Sequence, residues 1–139
     1  MISFSKQATF ELSKPSAIIR WLSSIISQEQ CSEGQISVNF CNDKHLHKLN
    51  IEFLSHDALT DVISFDYSEG KQLHGEIFIS VDRVKENASE LNQVFETEIL
   101  RVMAHGVLHF CGYKDKTDLE SSLMRTKEDF YLKQLMDKP

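Results

Sequence analysis

No apolar run in this chain approaches the roughly 20 residues of a membrane-spanning helix. Glycine and proline are scarce, at 5 and 2 of 139 residues, and form no Pro/Gly/Ser-rich linker. Repeats and low-complexity tracts are also missing. A single domain over residues 1–139 is the simplest organisation, long enough to bury about two-thirds of its surface. The three cysteines, Cys31, Cys41 and Cys111, are odd in number and contain no CxxC pair, which suits a reducing compartment better than a disulfide framework. The opening residues MISFSKQATFELS lack the charged start, apolar core and cleavage site of a secretory signal, so a cytoplasmic location is expected. Excess positive charge is absent too. With 15 basic and 21 acidic residues the net charge is −6, which weighs against passive nucleic-acid binding over a broad basic surface. A local basic groove remains open. Lys44, His45, His47 and Lys48 form one cluster, which reads as a solvated face; Lys114 and Lys116 form a second.

The hydrophobic periodicity predicts strands mixed with helices. Ile2–Leu12 alternates as a strand. Pro15 opens a helix whose apolar face is Ala17, Ile18, Trp21, Leu22, Ile25 and Ile26. Ile36–Phe40 reads as a strand. Asn42 or Asp43 can cap a helix with the stripe Leu46, Leu49 and Phe53. Val62–Phe65 and Ile77–Ser80 are short strands, the second entered through Gly75. Ser80 or Asp82 then caps a helix to about Leu91. Thr117-Asp118-Leu119-Glu120 is a capping box, opening a last helix whose predicted buried face is Leu119, Leu123, Phe130, Tyr131 and Leu135. The expected fold is α+β, a mixed sheet of about four strands with helices packed on it.

Between these last two helices lies His105–Asp115, HGVLHFCGYKD. Its surroundings, Ile99, Leu100, Val102, Met103, Val107, Leu108 and Cys111, are apolar on every side, so the helix is buried nearly all round. On a helix, His105 and His109 share a face with Cβ atoms roughly 5–6 Å apart. Gly112 ends the helix and lets the chain turn back, bringing Asp115 within reach of the same point. An isolated His-x-x-x-His is more often chance than chemistry. The added glycine and carboxylate give the His-x-x-x-His-x-x-Gly-x-x-Asp spacing of a zinc-hydrolase scaffold, with the metal site at the end of the buried central helix. Gly106 stands where a metalloprotease carries its glutamate base. Cys111 is aimed away from both histidines and reads as a small buried thiol.

Three segments together resemble the YbeY family of endoribonucleases. One contains Asp57 and the run Thr60-Asp61-Val62-Ile63-Ser64-Phe65, similar to the family's TDVLSF. Another is Gly75-Glu76-Ile77-Phe78-Ile79-Ser80, similar to GDIxIS. The last is HGVLHFCGYKD, similar to HGxLHLxGYDH, and Met124 and Glu128 beyond it fit the family's last helix. The resemblance implies a zinc-dependent, single-strand-specific endoribonuclease in ribosomal RNA maturation and ribosome quality control. It implies one Zn2+ per chain, with other divalent ions possible, held by His105, His109 and Asp115. Its implied partners are ribosomal RNA, other single-stranded RNA and the ribosome, with no membrane.

Two departures from the family pattern stand out. Asp115 takes the place of the usual third histidine, with Lys114 where an aspartate is common. Leu54 takes the place of a functionally important arginine. Another cation is therefore expected to stabilise the charge of phosphodiester cleavage. Lys114 is the first candidate for a catalytic role, ahead of Lys116, Arg101 and His56. Tyr113 offers a ring for base stacking. Thr60, Asp61 and Ser64 read as structural support, and Glu76 as either a second layer around the site or plain surface. His45, His47, His56 and His74 read as surface histidines. Two rival readings stay open: a small metalloprotease-like hydrolase, and a ribosome-associated binding module with a structural metal.

Overall fold

The computed structural model describes residues 1–6, 10–55 and 58–137. Among these residues four strands and five helices follow one another as β1 (Ile2–Lys6), α1 (Pro15–Gln28), β2 (Ser32–Cys41), α2 (Asp43–Leu54), β3 (Val62–Asp66), β4 (Gln72–Ser80), α3 (Val81–Glu90), α4 (Phe95–Phe110) and α5 (Asp118–Met136). The sheet order is β1-β2-β4-β3. β1 pairs parallel with β2 and β2 parallel with β4, while β3 runs antiparallel to β4 along the opposite edge from β1. This is the expected α+β mixed sheet of four strands.

Alternation of side chains divides the sheet's two faces. Ile36, Val38 and Phe40 of β2 and Ile77 and Ile79 of β4 join the main core with Trp21, Leu22 and Ile25 of α1, and Met103, Val107 and Leu108 of α4. Ile63 of β3 belongs to a smaller cluster with Cys41 and Leu46, against which Phe65 and Phe78 pack. Trp21 is 2% exposed, and its indole Nε1–H donates to the Tyr131 carbonyl at 2.8 Å, tying α1 to α5.

The predicted caps form where their hydroxyls and amides can accept a free helix N–H. The Asn42 side chain accepts from His45 N, and Ser80 from Arg83 N. Thr117 and Glu120 make both bonds of the capping box. Residues 7–9 of the expected Ile2–Leu12 strand lie outside the described residues; β1 ends at Lys6. β2 and β4 are longer than expected, and Gly75 lies inside β4, because paired backbone carries strand structure past the apolar run. A Cβ at Gly75 would meet the Phe110 ring at 2.4 Å, so the glycine serves close packing rather than strand entry.

The faces of two helices differ from the apolar pattern. Phe53 of α2 is 58% exposed and stacks edge-on with Phe65. On α5 the buried positions are Met124, Glu128, Tyr131 and Leu132, while Leu119, Leu123 and Phe130 are exposed. Glu128 turns inward because the Arg101 guanidinium and the His105 ring on α4 receive it, and this rotates the helix away from its richest apolar stripe.

Candidate active site

α4 is buried around nearly its whole circumference, as its sequence predicts, and it ends at an open groove. Gly106 lies where the helix packs closely on the sheet. A Cβ there would stand 2.7 Å from Ile77 Cδ1 of β4. The position following the first histidine therefore faces the sheet, not the groove. The helix stops at Cys111. Gly112 adopts φ 110°, a conformation that L side chains rarely take, and sends the chain back towards α4. The Gly112–Lys116 segment is short and is pinned at its far end by the capping box.

This turn brings the three expected residues together. His105 Nε2 and His109 Nε2 are 3.0 Å apart, and Asp115 Oδ2 lies 3.1 Å from the first and 3.3 Å from the second. A tetrahedral ion with ligands at about 2.0–2.2 Å holds them roughly 3.3–3.6 Å from one another. The three donors lie at or a few tenths of an ångström inside that spacing.

The partners of the outer nitrogens set which ring atoms point at one another. His105 Nδ1 meets Glu128 Oε2 at 2.7 Å, and His109 Nδ1 meets the Tyr113 carbonyl at 2.9 Å. Both partners are acceptors, so each Nδ1 must carry the hydrogen, and in the neutral rings both Nε2 atoms are lone pairs. With both rings neutral, two lone pairs and a carboxylate oxygen converge, an arrangement that a bound metal ion or a proton relieves. Histidines that donate one nitrogen to an acceptor and present the other inward are typical of metal ligands. These three residues could hold one metal ion. Among the described residues no fourth side chain joins them, and all three line the groove.

Burial by itself would lower the pKa of His105. The hydrogen bond and charge of Glu128, with the charges of Asp115 and Asp61, outweigh it and raise the His105 pKa above its ordinary value. Asp61 shows the converse. Burial raises its pKa, against opposition from backbone hydrogen bonds and the nearby His105.

The second layer is built on α5 and α1. Glu128 also receives Arg101 Nη1 at 3.1 Å, and Arg101 reaches Asp129 at 2.8 Å and Glu98 at 3.5 Å. Arg101 is held by these carboxylates, although its Nε has no hydrogen bond, and it positions Glu128 while also lining the groove. On the other side, the Tyr113 hydroxyl donates to Glu29 at 2.6 Å, and Glu29 also accepts from Lys127 and the Tyr131 hydroxyl. The Lys127 ammonium lies over the Tyr113 ring, 5.5 Å from its centroid. Tyr113 thus braces the loop, and this face of its ring is not free for a base to stack on.

The groove has a volume of about 1460 Å³. Asp61, Val62, Ser64 and Asp66 border it on the β3 side, and Lys114, Lys116 and Arg125 on the side of α5. Leu54 also lines it. Thr60 has the structural role expected of it, donating its hydroxyl to the Val62 carbonyl at 3.3 Å. Glu76 accepts from the Tyr67 hydroxyl at 3.3 Å on the β4 surface and does not line the groove. Neither Lys44, His45, His47 and Lys48 nor His74 is among the groove-lining residues. His56 and Asp57 lie outside the described residues. Burial pushes the Cys111 thiol pKa upward and the adjacent Cys31 adds to the shift, in keeping with an unreactive packed thiol. The periodicity missed Arg125, whose only signal is a positive charge on a helix that starts beside the site.

Comparison with known proteins places the chain in a family. The family model described as endoribonuclease YbeY matches residues 2–136. The endoribonuclease YbeY of Flavobacterium johnsoniae is 52% identical over 129 residues, covering 93% of each chain. That of Flavobacterium psychrophilum is 53% identical over 133 residues, 96% of this chain and 95% of its own. The solution structure of TM1509 from Thermotoga maritima superposes with a TM-score of 0.67 at 30% identity, covering 97% of this chain and 89% of that one. The chain belongs to the YbeY endoribonuclease family. It is a hydrolytic nuclease, and RNA is its substrate class.

Proposed function

We propose that this protein is a zinc-dependent, single-strand-specific endoribonuclease acting in ribosomal RNA maturation and ribosome quality control in the cytoplasm. The observation that carries this reading is the convergence of His105 Nε2, His109 Nε2 and Asp115 Oδ2 beside an open groove. An ion held there would supply Lewis-acid polarisation of a phosphoryl oxygen and lower the pKa of a bound water. Zinc accepts this nitrogen and oxygen donor set, as other divalent ions do.

The chain's own residues have distinct tasks. Glu128 and the Tyr113 carbonyl orient the two imidazoles and keep their Nε2 lone pairs directed inward. Gly112 and the capping box hold Asp115 in place. Lys114, at the rim, is assigned the transition-state charge, with Lys116 and Arg125 steering the phosphate chain along the same side. No helix is long and apolar enough to cross a membrane among the described residues.

The metalloprotease-like alternative requires a base next to the first histidine, and Gly106 faces Ile77 instead. A structural metal is usually closed off by four protein ligands, whereas three such side chains gather here beside a groove, which supports the enzyme reading. The test is elemental analysis of protein purified without added metal, followed by cleavage assays on single-stranded and duplex RNA. The expected result is one zinc per chain and cleavage of the single strand alone. His109→Ala should abolish both. Full metal occupancy in that variant would overturn the ligand assignment, and peptide cleavage by the parent would favour the protease reading.

A further inference from the structure

β3 is an edge strand, and its free side borders the groove. The register with β4 determines which of its peptide groups are free. Val62 pairs with Ile79, Ile63 with Phe78 and Ser64 with Ile77. Beyond the strand ends, Ser80 N donates to the Asp61 carbonyl at 2.9 Å and Tyr67 N to the His74 carbonyl at 2.8 Å. In an antiparallel pair the bonded residues alternate along the strand. Asp61, Ile63, Phe65 and Tyr67 therefore direct their N–H and C=O groups to β4. Val62, Ser64 and Asp66 direct theirs outward.

These three outward residues differ in what is left open. The Val62 carbonyl already takes the Thr60 hydroxyl at 3.3 Å. Asp66 lies at the end of the strand, its carboxylate bonded to Ser68 N at 2.9 Å. Ser64 is in the middle, and among the described residues its main-chain N–H and C=O have no partner. Three residues of strand separate it from Asp61, about 10 Å at the usual rise. Asp61 in turn interacts electrostatically with His105. The free pair of groups thus lines the same groove as the three-donor site.

We propose that the outward N–H and C=O of Ser64 form a nucleobase subsite, which takes the Watson–Crick edge of the nucleoside flanking the cleaved phosphate. This rests on the RNA-cleaving reading above. One extended residue offers a donor and an acceptor side by side. Adenine, guanine, cytosine and uracil each carry an adjacent donor and acceptor on their Watson–Crick edge. The subsite therefore accepts any base without reading sequence. It also discriminates by pairing state, because a base in a duplex has already used that edge. Selectivity for single strands follows from main-chain geometry and needs no dedicated side chain. An extended peptide is a poorer match. It needs a run of alternate free residues, and the Thr60 bond closes the Val62 end of this one.

The test uses 15N-labelled, metal-loaded protein and a short oligoribonucleotide made uncleavable by methylene groups in place of the bridging phosphate oxygens. The expected result is a shift and slowed hydrogen exchange of the Ser64 amide. An oligomer with one abasic position, scanned along the strand, should abolish that change at one register while the Lys114 and Arg125 amides still respond. The Ser64→Pro variant removes the N–H on the unpaired side, where an edge strand tolerates proline. Its KM for single-stranded RNA should rise roughly tenfold, the scale of one lost hydrogen bond. A parent that cleaves RNA while its Ser64 amide stays silent overturns the subsite and leaves the nuclease reading intact. A parent that neither binds nor cleaves RNA overturns both. A Ser64 response to an extended peptide but not to RNA assigns the edge to peptide docking and overturns the proposal.

Discussion

His105 on α4 and Glu128 on α5, 23 residues apart in sequence, are joined by a 2.7 Å hydrogen bond between Nδ1 and Oε2. The bond fixes the tautomer that leaves Nε2 free. Replacing Glu128 with Gln keeps the volume but removes the obligate acceptor. Loss of such an outer partner typically weakens metal affinity by about 10–100-fold. Metal-competition titrations of Glu128→Gln should show this while far-ultraviolet circular dichroism stays native. Parent-like affinity would mean that the His105 tautomer is set elsewhere.

The same bond predicts opposite effects of pH with and without metal. The His105 pKa is raised in the folded protein. In metal-free protein its stabilising contribution is fully present below the unfolded histidine pKa and is lost as pH rises through the folded value. Metal binding needs the neutral ring, so affinity falls as pH drops through that raised value. Denaturant unfolding of the metal-free protein and metal titrations, each across pH 5 to 8 (about the histidine range), should therefore slope in opposite directions. Affinity that stays flat with pH would contradict histidine ligation.

Asp115→His should retain the metal. The position is at the end of a short loop pinned at both sides, so a ring placed there still faces the two Nε2 atoms. It would also remove one negative charge from the site. Metal content near one per chain, with unchanged or tighter affinity, is expected. A folded variant that no longer binds metal would place the loop elsewhere in solution.

Lys114→Ala should lower cleavage of single-stranded RNA with metal content unchanged. Loss of one contact to the developing charge typically costs on the order of a hundredfold in rate. Lys116→Ala should have a smaller effect that fades as salt rises, as expected of a steering charge. If Lys114→Ala, Lys116→Ala and the double variant all cleave at the parent rate, Arg125 becomes the next cation to test.

Glu29 anchors the ligand loop from behind. Burial would raise its pKa, but hydrogen bonds from Tyr113, Tyr131 and Lys127 prevail and lower it below the usual carboxylate value. A lowered folded pKa contributes stability that is present above the unfolded value and is lost as pH falls through the folded one. Glu29→Gln should cost about 1–3 kcal/mol at neutral pH, and the gap to the parent should narrow in acid. An equal gap at both ends of the pH range would assign the loss to packing.

The site was legible in the sequence because its geometry is local. The spacing of His105 and His109, the turn at Gly112 and the cap at Thr117 are all encoded within a few residues. The faces of α5 were not legible in the same way. Apolar period selects Leu119, Leu123 and Phe130, but Arg101 and His105 draw the charged Glu128 inward. That preference depends on another helix and leaves no mark on the period of α5 itself. The free edge of β3 was hidden for a similar reason. Which peptide groups point outward is set by register with β4, and register belongs to a pair of strands.

The indole of Trp21 hydrogen-bonds to the Tyr131 carbonyl, one turn along α5 from Glu128. It is the single tryptophan of the chain. The molecule therefore contains an optical gauge of its own catalytic geometry. Any slippage of α5 that withdrew Glu128 from His105 would also wet the indole and move its fluorescence to the red. Emission wavelength and metal affinity should change together in every variant that loosens this helix, and independently in those that alter only the rim.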